Sequence, residues 1–305
     1  MTQSQMTEQL NVTKRDGTLH PFNINEIRVM IEYATKAYPK LNPLKLESAF
    51  TQGIYDGIPT DKIQESLIVA ASNLVSAKET SWKYVAGILT MSARTHRLHK
   101  IGLFYDDPTT LLEYVAIKSN EGVYSELLNK YSEEQLLEAF SWINPDYDYD
   151  YDIFGAEILE KRYLLKDEPL QLAYVLTALI IAIPEKTKAE RMKFAQKLYH
   201  AIAQRKISLA TPILANMRKA KGSISSCFII VMNDNLIDIY REITNAAFIS
   251  KNGGGVGANV SRIRATGSQV MGNDNASGGV IPWIKLLNDT AIAVNQGKQN
   301  CPLVA

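Results

Sequence analysis

The chain has 305 residues, enough for one large or two ordinary domains, and its 33 Lys and Arg nearly balance 32 Asp and Glu for a net charge of +1. That balance gives no reason to expect a nucleic acid or an acidic membrane as partner, and no apolar run reaches the ~20 residues of a membrane span. The polar N-terminus MTQSQMTEQL lacks a signal-peptide layout, and two lone cysteines with four histidines and no CxxC leave no zinc site, so a cytoplasmic chain without its own metal is expected.

After residues 1–10, expected to be disordered, Val12 to Thr18 reads as strand, Asp-Gly turn and strand, continuing towards His20-Pro21-Phe22. Asn23 to Ala37 is amphipathic, with Ile24, Ile27, Met30 or Ile31, and Ala34 on one face. Helices follow over Pro43 to Tyr55, Thr60 to Val75 with Thr60 as N-cap, and Trp82 to Ile101. Lys14 and Arg15 can neutralise phosphates, and a helix start at Thr60 offers a hydroxyl and free N–H groups, although on the residues alone a solvated basic turn is the better reading of the pair.

Apolar stripes at helical spacing continue at Leu111 to Asn120, Tyr124 to Leu128, Glu133 to Trp142, Ile153 to Leu164, Leu170 to Ile183 and Glu185 to Arg205. The 170–183 run is apolar enough for a fully buried helix. The Asp-Tyr alternation from Asp146 to Asp152 carries Tyr151 where a calcium loop needs glycine, so it reads as a polar turn leading into the next helix. Thr211-Pro212 implies extended backbone, and the basic stretch Met217 to Gly222 reads as a solvated turn.

Ser223 to Ser268 holds the candidate chemistry. Cys227 opens the apolar run to Met232, which fits a strand buried on both faces and would bury the thiol. Asp234 or Asn235 caps a helix with Leu236, Ile239, Ile243 and Ala247 in phase. A glycine cluster, Gly253-Gly254-Gly255-Val256-Gly257, and a short strand from Gly257 to Val260 complete a βαβ-like unit. Gly279 to Trp283 begins a further helix whose stripe suits either core packing or a subunit interface.

SSC before an apolar strand, D-x-L at the helix start, GxGxNxxxIRxxGS after it and GxIPWxK further on together resemble the large, catalytic subunit of aerobic class I ribonucleotide reductase, over about Val12 to Gly297. The resemblance implies a mainly α chain with an α/β part: an ATP-cone over 11–101, a helical domain over 102–205, the first βα elements of a ten-stranded α/β barrel over 206–297, left incomplete, and a tail over 298–305 that includes Cys301. It implies that Cys227 is a redox-active thiol of the reducing pair and that Thr211, Ser226, Gly254 and Gly255 hold the substrate. It further implies that Asp234, Asn235, Leu236, Arg264 and position 271 form the allosteric specificity site, and that Lys14, Arg15, Asn23 and Thr60 are cone nucleotide contacts. Departures at His20, Glu26, Gln64 and His96 imply weakened cone affinity, and Met271 replaces a basic effector contact.

The function implied is reduction of ribonucleoside diphosphates to 2′-deoxyribonucleoside diphosphates by thiol radical chemistry for deoxyribonucleotide supply, governed by ATP and deoxynucleotide effectors. No cofactor would bind this chain directly; a di-metal radical cofactor would reside in a small partner subunit. Asn295-Gln296-Gly297 matches the start of the loop linking effector to substrate, and the remaining barrel, the radical cysteine and the C-terminal thiols for thioredoxin or glutaredoxin are not in the chain. The expectation is therefore one piece of a split or truncated subunit, completed by a C-terminal fragment and dimerising through its barrel helices; the alternative is a non-catalytic, nucleotide-binding regulatory remnant.

Overall fold

The computed structural model describes residues 10–13, 17–252 and 254–294. The described residues fall into two compact units, one within residues 1–121 and 127–207 and the other within residues 122–126 and 208–305.

The first unit opens with a three-stranded sheet of order β2-β1-β3, formed by β1 (Asn11–Thr13), β2 (Leu19–Pro21) and β3 (Ile58–Pro59). β2 runs antiparallel to β1 with Val12 opposite His20, and β3 runs parallel with Val12 opposite Ile58. Four helices follow the expected stripes: α1 (Ile24–Thr35), α2 (Pro43–Thr51), α3 (Thr60–Asn73) and α4 (Trp82–Lys100). Asn23 and Asn42 cap α1 and α2, each accepting from the backbone N–H two residues on. Their apolar faces close on one core of Ile27, Ile31, Leu46, Phe50, Leu67, Trp82, Val85 and Leu89. The position expected to cap α3 is taken by Pro59, and Thr60 is instead the first helical residue.

α5 (Pro108–Asn120), α6 (Glu133–Phe140), α7 (Ile153–Ile158), α8 (Leu170–Ala182) and α9 (Lys188–Ala203) complete this unit. Ser132 and Thr187 form capping boxes with Gln135 and Glu190, so α9 starts later than its apolar stripe implied. The 153–164 helix breaks after Ile158 into a π-helical turn, Leu159–Tyr163. The Asp-Tyr run forms a 3₁₀ turn, Pro145–Asp150, that lies against α4. Gly87 makes this possible: a methyl there would come within 2.8 Å of the Asp152 carbonyl carbon and inside contact distance of the Tyr151 carbonyl oxygen.

That run is more than a polar turn, because Asp148 is buried beside α8. Its carboxylate accepts from Tyr105 Oη (2.9 Å) and Gln171 Nε2 (2.7 Å), while Tyr199 Oη donates to Gln171 Oε1 (3.0 Å) and accepts from Asn144 N (3.1 Å). Loss of hydration pushes the Asp148 carboxyl up to about 6, despite these donors and Arg94. α8 is buried nearly all round, as its composition predicts.

In the second unit, residues 124 and 218–220 correct two expectations. Tyr124 is not helical but bridges Lys219, with Ser125 N donating to Arg218 O and Ala220 N to Val123 O (both 2.9 Å); the 3₁₀ turn follows at Glu126–Lys130. Arg218, expected in a solvated loop, is fully buried, and its Nη1 donates to Leu214 O (2.5 Å). The backbone at Thr211-Pro212 is helical rather than extended, with Pro212 in the first turn of α10 (Thr211–Asn216), where the missing N–H costs nothing. β4 (Cys227–Val231), α11 (Leu236–Lys251) and β5 (Gly255–Asn259) form the βαβ unit, its strands parallel from Cys227 opposite Gly255 to Val231 opposite Asn259. α12 (Ile281–Val294) packs on α11, and Ile230, Met232, Ile239, Ile243, Val256, Ile263 and Leu287 make the core. Among the described residues no helix is long and apolar enough to cross a membrane.

Candidate functional site

Two clusters lie at opposite ends of the β4/β5 pair, about 13 Å apart at the usual rise per strand residue. At the N-terminal end, Ser226 Oγ lies 3.5 Å from Cys227 Sγ, and Gly255 N donates to Ser226 O at 2.6 Å. The thiol is exposed, not buried as expected, and Ile229 on the same strand is 85% exposed. The strand is not sandwiched because its sheet has two strands and α11 covers only one face, through Ile230. Gly254 is required by packing: a side chain there would meet Phe228 at 2.8 Å and Ile249 at 2.6 Å. Its N–H donates to Ile249 O (3.0 Å), so the amides of Gly254 and Gly255, residues expected to hold the substrate, are both engaged within the chain. Thr211 is exposed at the start of α10.

At the C-terminal end, Asn235 caps α11 by accepting from Asp238 N (2.8 Å), and the buried Asp238 accepts from Asn233 N (2.9 Å), fixing the turn between β4 and α11. Arg264 Nε donates to Asp234 Oδ2 at 2.7 Å, its backbone N to Oδ1 at 3.3 Å, and its Nη1 to Gln269 O at 2.8 Å. Two residues earlier, Arg262 Nη1 donates to Asn233 Oδ1 at 2.8 Å. Leu236 is exposed at the start of α11. Met271 sits at positive φ (48°) in a hairpin closed by Val270 and Asn273, its side chain 98% exposed. The structure thus joins Asp234, Asn235 and Arg264, and adds Arg262 and Asp238, which sequence reasoning missed. The alternating Arg-x-Arg spacing was the available signal for Arg262.

In the cone, Lys14 and Arg15 lie outside the described residues, as do Gly253, the Asn295–Gly297 stretch and Cys301. Asn23 accepts from Asn25 N (3.1 Å) and donates Nδ2 to Glu26 Oε1 (3.3 Å), so its amide serves the helix. Pro21 pairs with Asn11 and Pro59 with Thr13, so Asn23 and Thr60 follow opposite ends of β1, about 7 Å apart along the strand. His96 lines an open cleft of about 400 Å³ with Ser92, Thr95, His99, Lys100 and Tyr149. No group of three His, Cys, Asp or Glu among the described residues is arranged to hold a metal ion.

Comparison with known proteins matches this order of parts. The ATP cone domain model matches residues 10–97, the ribonucleotide reductase all-alpha domain 149–222, and the ribonucleotide reductase barrel domain 225–300. The ribonucleoside-diphosphate reductase subunit alpha of Synechocystis sp. is 50% identical over 295 residues, covering 96% of this chain and 38% of the relative. Those of Helicobacter pylori (32% over 291 residues) and Escherichia coli (subunit 1 alpha, 30% over 304) cover 94% and 96% of this chain, and 36% and 39% of their own length. The chain belongs to the ribonucleotide reductase large-subunit family and corresponds to its N-terminal region: cone, all-alpha domain and start of the barrel. It spans under two fifths of the length of these relatives.

Proposed function

We propose that this chain is the N-terminal part of a ribonucleoside-diphosphate reductase large subunit, and that Cys227 is one of the thiols that reduce the 2′ carbon of a ribonucleoside diphosphate. The observation that carries this reading is the parallel β4–α11–β5 unit, which sets Ser226 and Cys227 against Gly254 and Gly255 inside the segment matched to the barrel domain. Oxidation of two thiols to a disulfide supplies the two electrons and two protons with which the 2′ hydroxyl leaves as water and a C–H bond forms.

Thr211 and Ser226 would donate hydroxyls to the substrate, and the glycines would allow close backbone approach. With their N–H groups engaged, Gly254 and Gly255 would contribute space more than hydrogen bonds. Asp234, Asn235, Leu236 and Arg264 would receive a deoxynucleotide or ATP effector, Asp234 at a sugar hydroxyl and Arg264 at a phosphate. The working enzyme, placed in the cytoplasm, would need the remaining barrel as a complementary polypeptide and a small subunit bearing a di-metal radical cofactor. It would also need thioredoxin or glutaredoxin. The exposed Ile229 edge of β4, and Ile237, Tyr240, Phe248 and Ile292 on α11 and α12, support barrel completion and dimerisation respectively. The cone would contribute little nucleotide affinity, with Glu26 where a cation would favour phosphate.

Purification of the chain from its native source tests the reading. A companion carrying further barrel sequence, with conversion of CDP to dCDP by the mixture plus small subunit, is expected. A chain isolated alone and inert when the complementary barrel and small subunit are added would overturn it.

A further inference from the structure

We propose that Arg262 is a phosphate-binding residue of the effector site, supplying the uncompensated positive charge that Arg264 cannot. This rests on the effector reading of the Asp234 cluster given above. Both guanidinium groups converge on one dipeptide, Asn233-Asp234, in the turn fixed by Asn235 and Asp238. Their charge states in the site differ. Arg264 is paired with the Asp234 carboxylate at 2.7 Å, and its Nη1 is committed to Gln269 O. Arg262 is held by a neutral amide oxygen, and no carboxylate lies within ion-pair distance of it among the described residues.

An anion approaching the turn therefore meets one neutralised cation and one free one. A phosphoryl group can replace a single amide hydrogen bond on Arg262 at little cost, and the planar fork of guanidinium N–H groups matches its oxygens in pairs. On Arg264 it must compete with an existing carboxylate. The first-turn amide of Asp238 is already taken by the Asn235 cap, so charge at this turn comes from the arginines. Met271 adds none: its thioether stands exposed on the hairpin that Arg264 tethers through Gln269. A deoxynucleoside triphosphate, with several negative charges on a flexible chain, is the ligand class that gains most from a second, free guanidinium.

The test measures dTTP binding by isothermal titration with the 305-residue chain and its R262A, R262K and M271R variants, each first shown to keep the parent's thermal unfolding midpoint. R262A is expected to weaken dTTP binding at least tenfold at low salt. The loss narrows as salt rises from about 0.05 M to about 0.5 M, over which the screening length falls roughly threefold. R262K, which keeps the charge and loses the fork, restores part of the affinity, and M271R in the R262A background restores part by placing a cation on the hairpin. Unchanged binding by R262A, or a loss independent of salt and not restored by R262K, overturns the role of Arg262 and leaves the site standing. Absence of dTTP binding by the parent chain overturns the effector reading and the role of Arg262 with it.

Discussion

Two apolar runs, Leu170–Ile183 and Cys227–Met232, read alike in sequence and differ in what surrounds them. The first, as α8, is covered on every side: Leu172, Ala173, Val175, Leu176 and Leu179 have no exposed surface, and even Gln171 is enclosed. The second, as β4, has one neighbouring strand and one covering helix, so Ile229 is 85% exposed while Ile230 next to it is 6%. Apolar character states a demand for burial; neighbours decide whether it is met. Where β4 remains open, further strands have a place to pair, which is the physical support for a barrel completed by more sequence.

The contrast sets the order of expected mutational effects. Leu176→Ala in α8 should destabilise the first unit by about 2–5 kcal/mol, the range for buried leucines that leave a cavity. Urea unfolding followed through Trp82 and Trp142 measures it, and a shift below about 1 kcal/mol would mean that α8 is less enclosed than described. Gly87→Ala places a methyl against the Tyr151–Asp152 backbone and should cost about 1–3 kcal/mol in the same measurement. A neutral result would mean that the 145–152 turn does not lie on α4.

Asp148→Asn acts through pH. The carboxyl binds its proton more tightly folded, near 6, than unfolded, near 3.8, so the folded state holds more protons between those values and stability falls as pH rises from about 4 to about 6. The fall is on the order of 2 kcal/mol. Unfolding curves across that window should therefore lose this decline in the variant, whatever its offset, whereas equal slopes in parent and variant would remove Asp148 as its source. The smallest effect belongs to Ile229→Ala, expected within about 0.5 kcal/mol in this chain because the side chain has little contact to lose. In an assembly that completes the sheet the same change should cost substantially more, and Trp283 fluorescence reports the second unit in both states.

The helices were legible mainly from the period of their apolar stripes, with the Asp234/Asn235 cap signal borne out at Asn235; the caps at Asn23, Asn42, Ser132 and Thr187 were seen only in the structure. Burial of polar residues was not. Arg218 and Asp148 look solvated in sequence: Asp148 is held inside by Tyr105 and Gln171, distant in the chain, while Arg218 donates to Leu214 O one helical turn back and its carbonyl accepts from the distant Ser125 N. The exposure of β4 and of Cys227 was misread for the converse reason, since an apolar run does not reveal how many strands will flank it. Of the site, the grouping of Ser226 and Cys227 with the glycines, and that of Asp234 with Arg264, were expectations that the family resemblance implied, and the strand-helix-strand pattern supplied only the frame. The engaged amides of Gly254 and Gly255 depend on the exact path of the turn, which glycine spacing leaves open.

The role of Cys227 is tested most directly by turnover of the Cys227→Ser variant after reconstitution with a complementary barrel polypeptide and a small radical-generating subunit, using CDP as substrate. The parent chain should form dCDP over many cycles, and the variant should assemble equally well but yield no sustained product. Multiple turnover by the variant would contradict the reducing role assigned to this thiol.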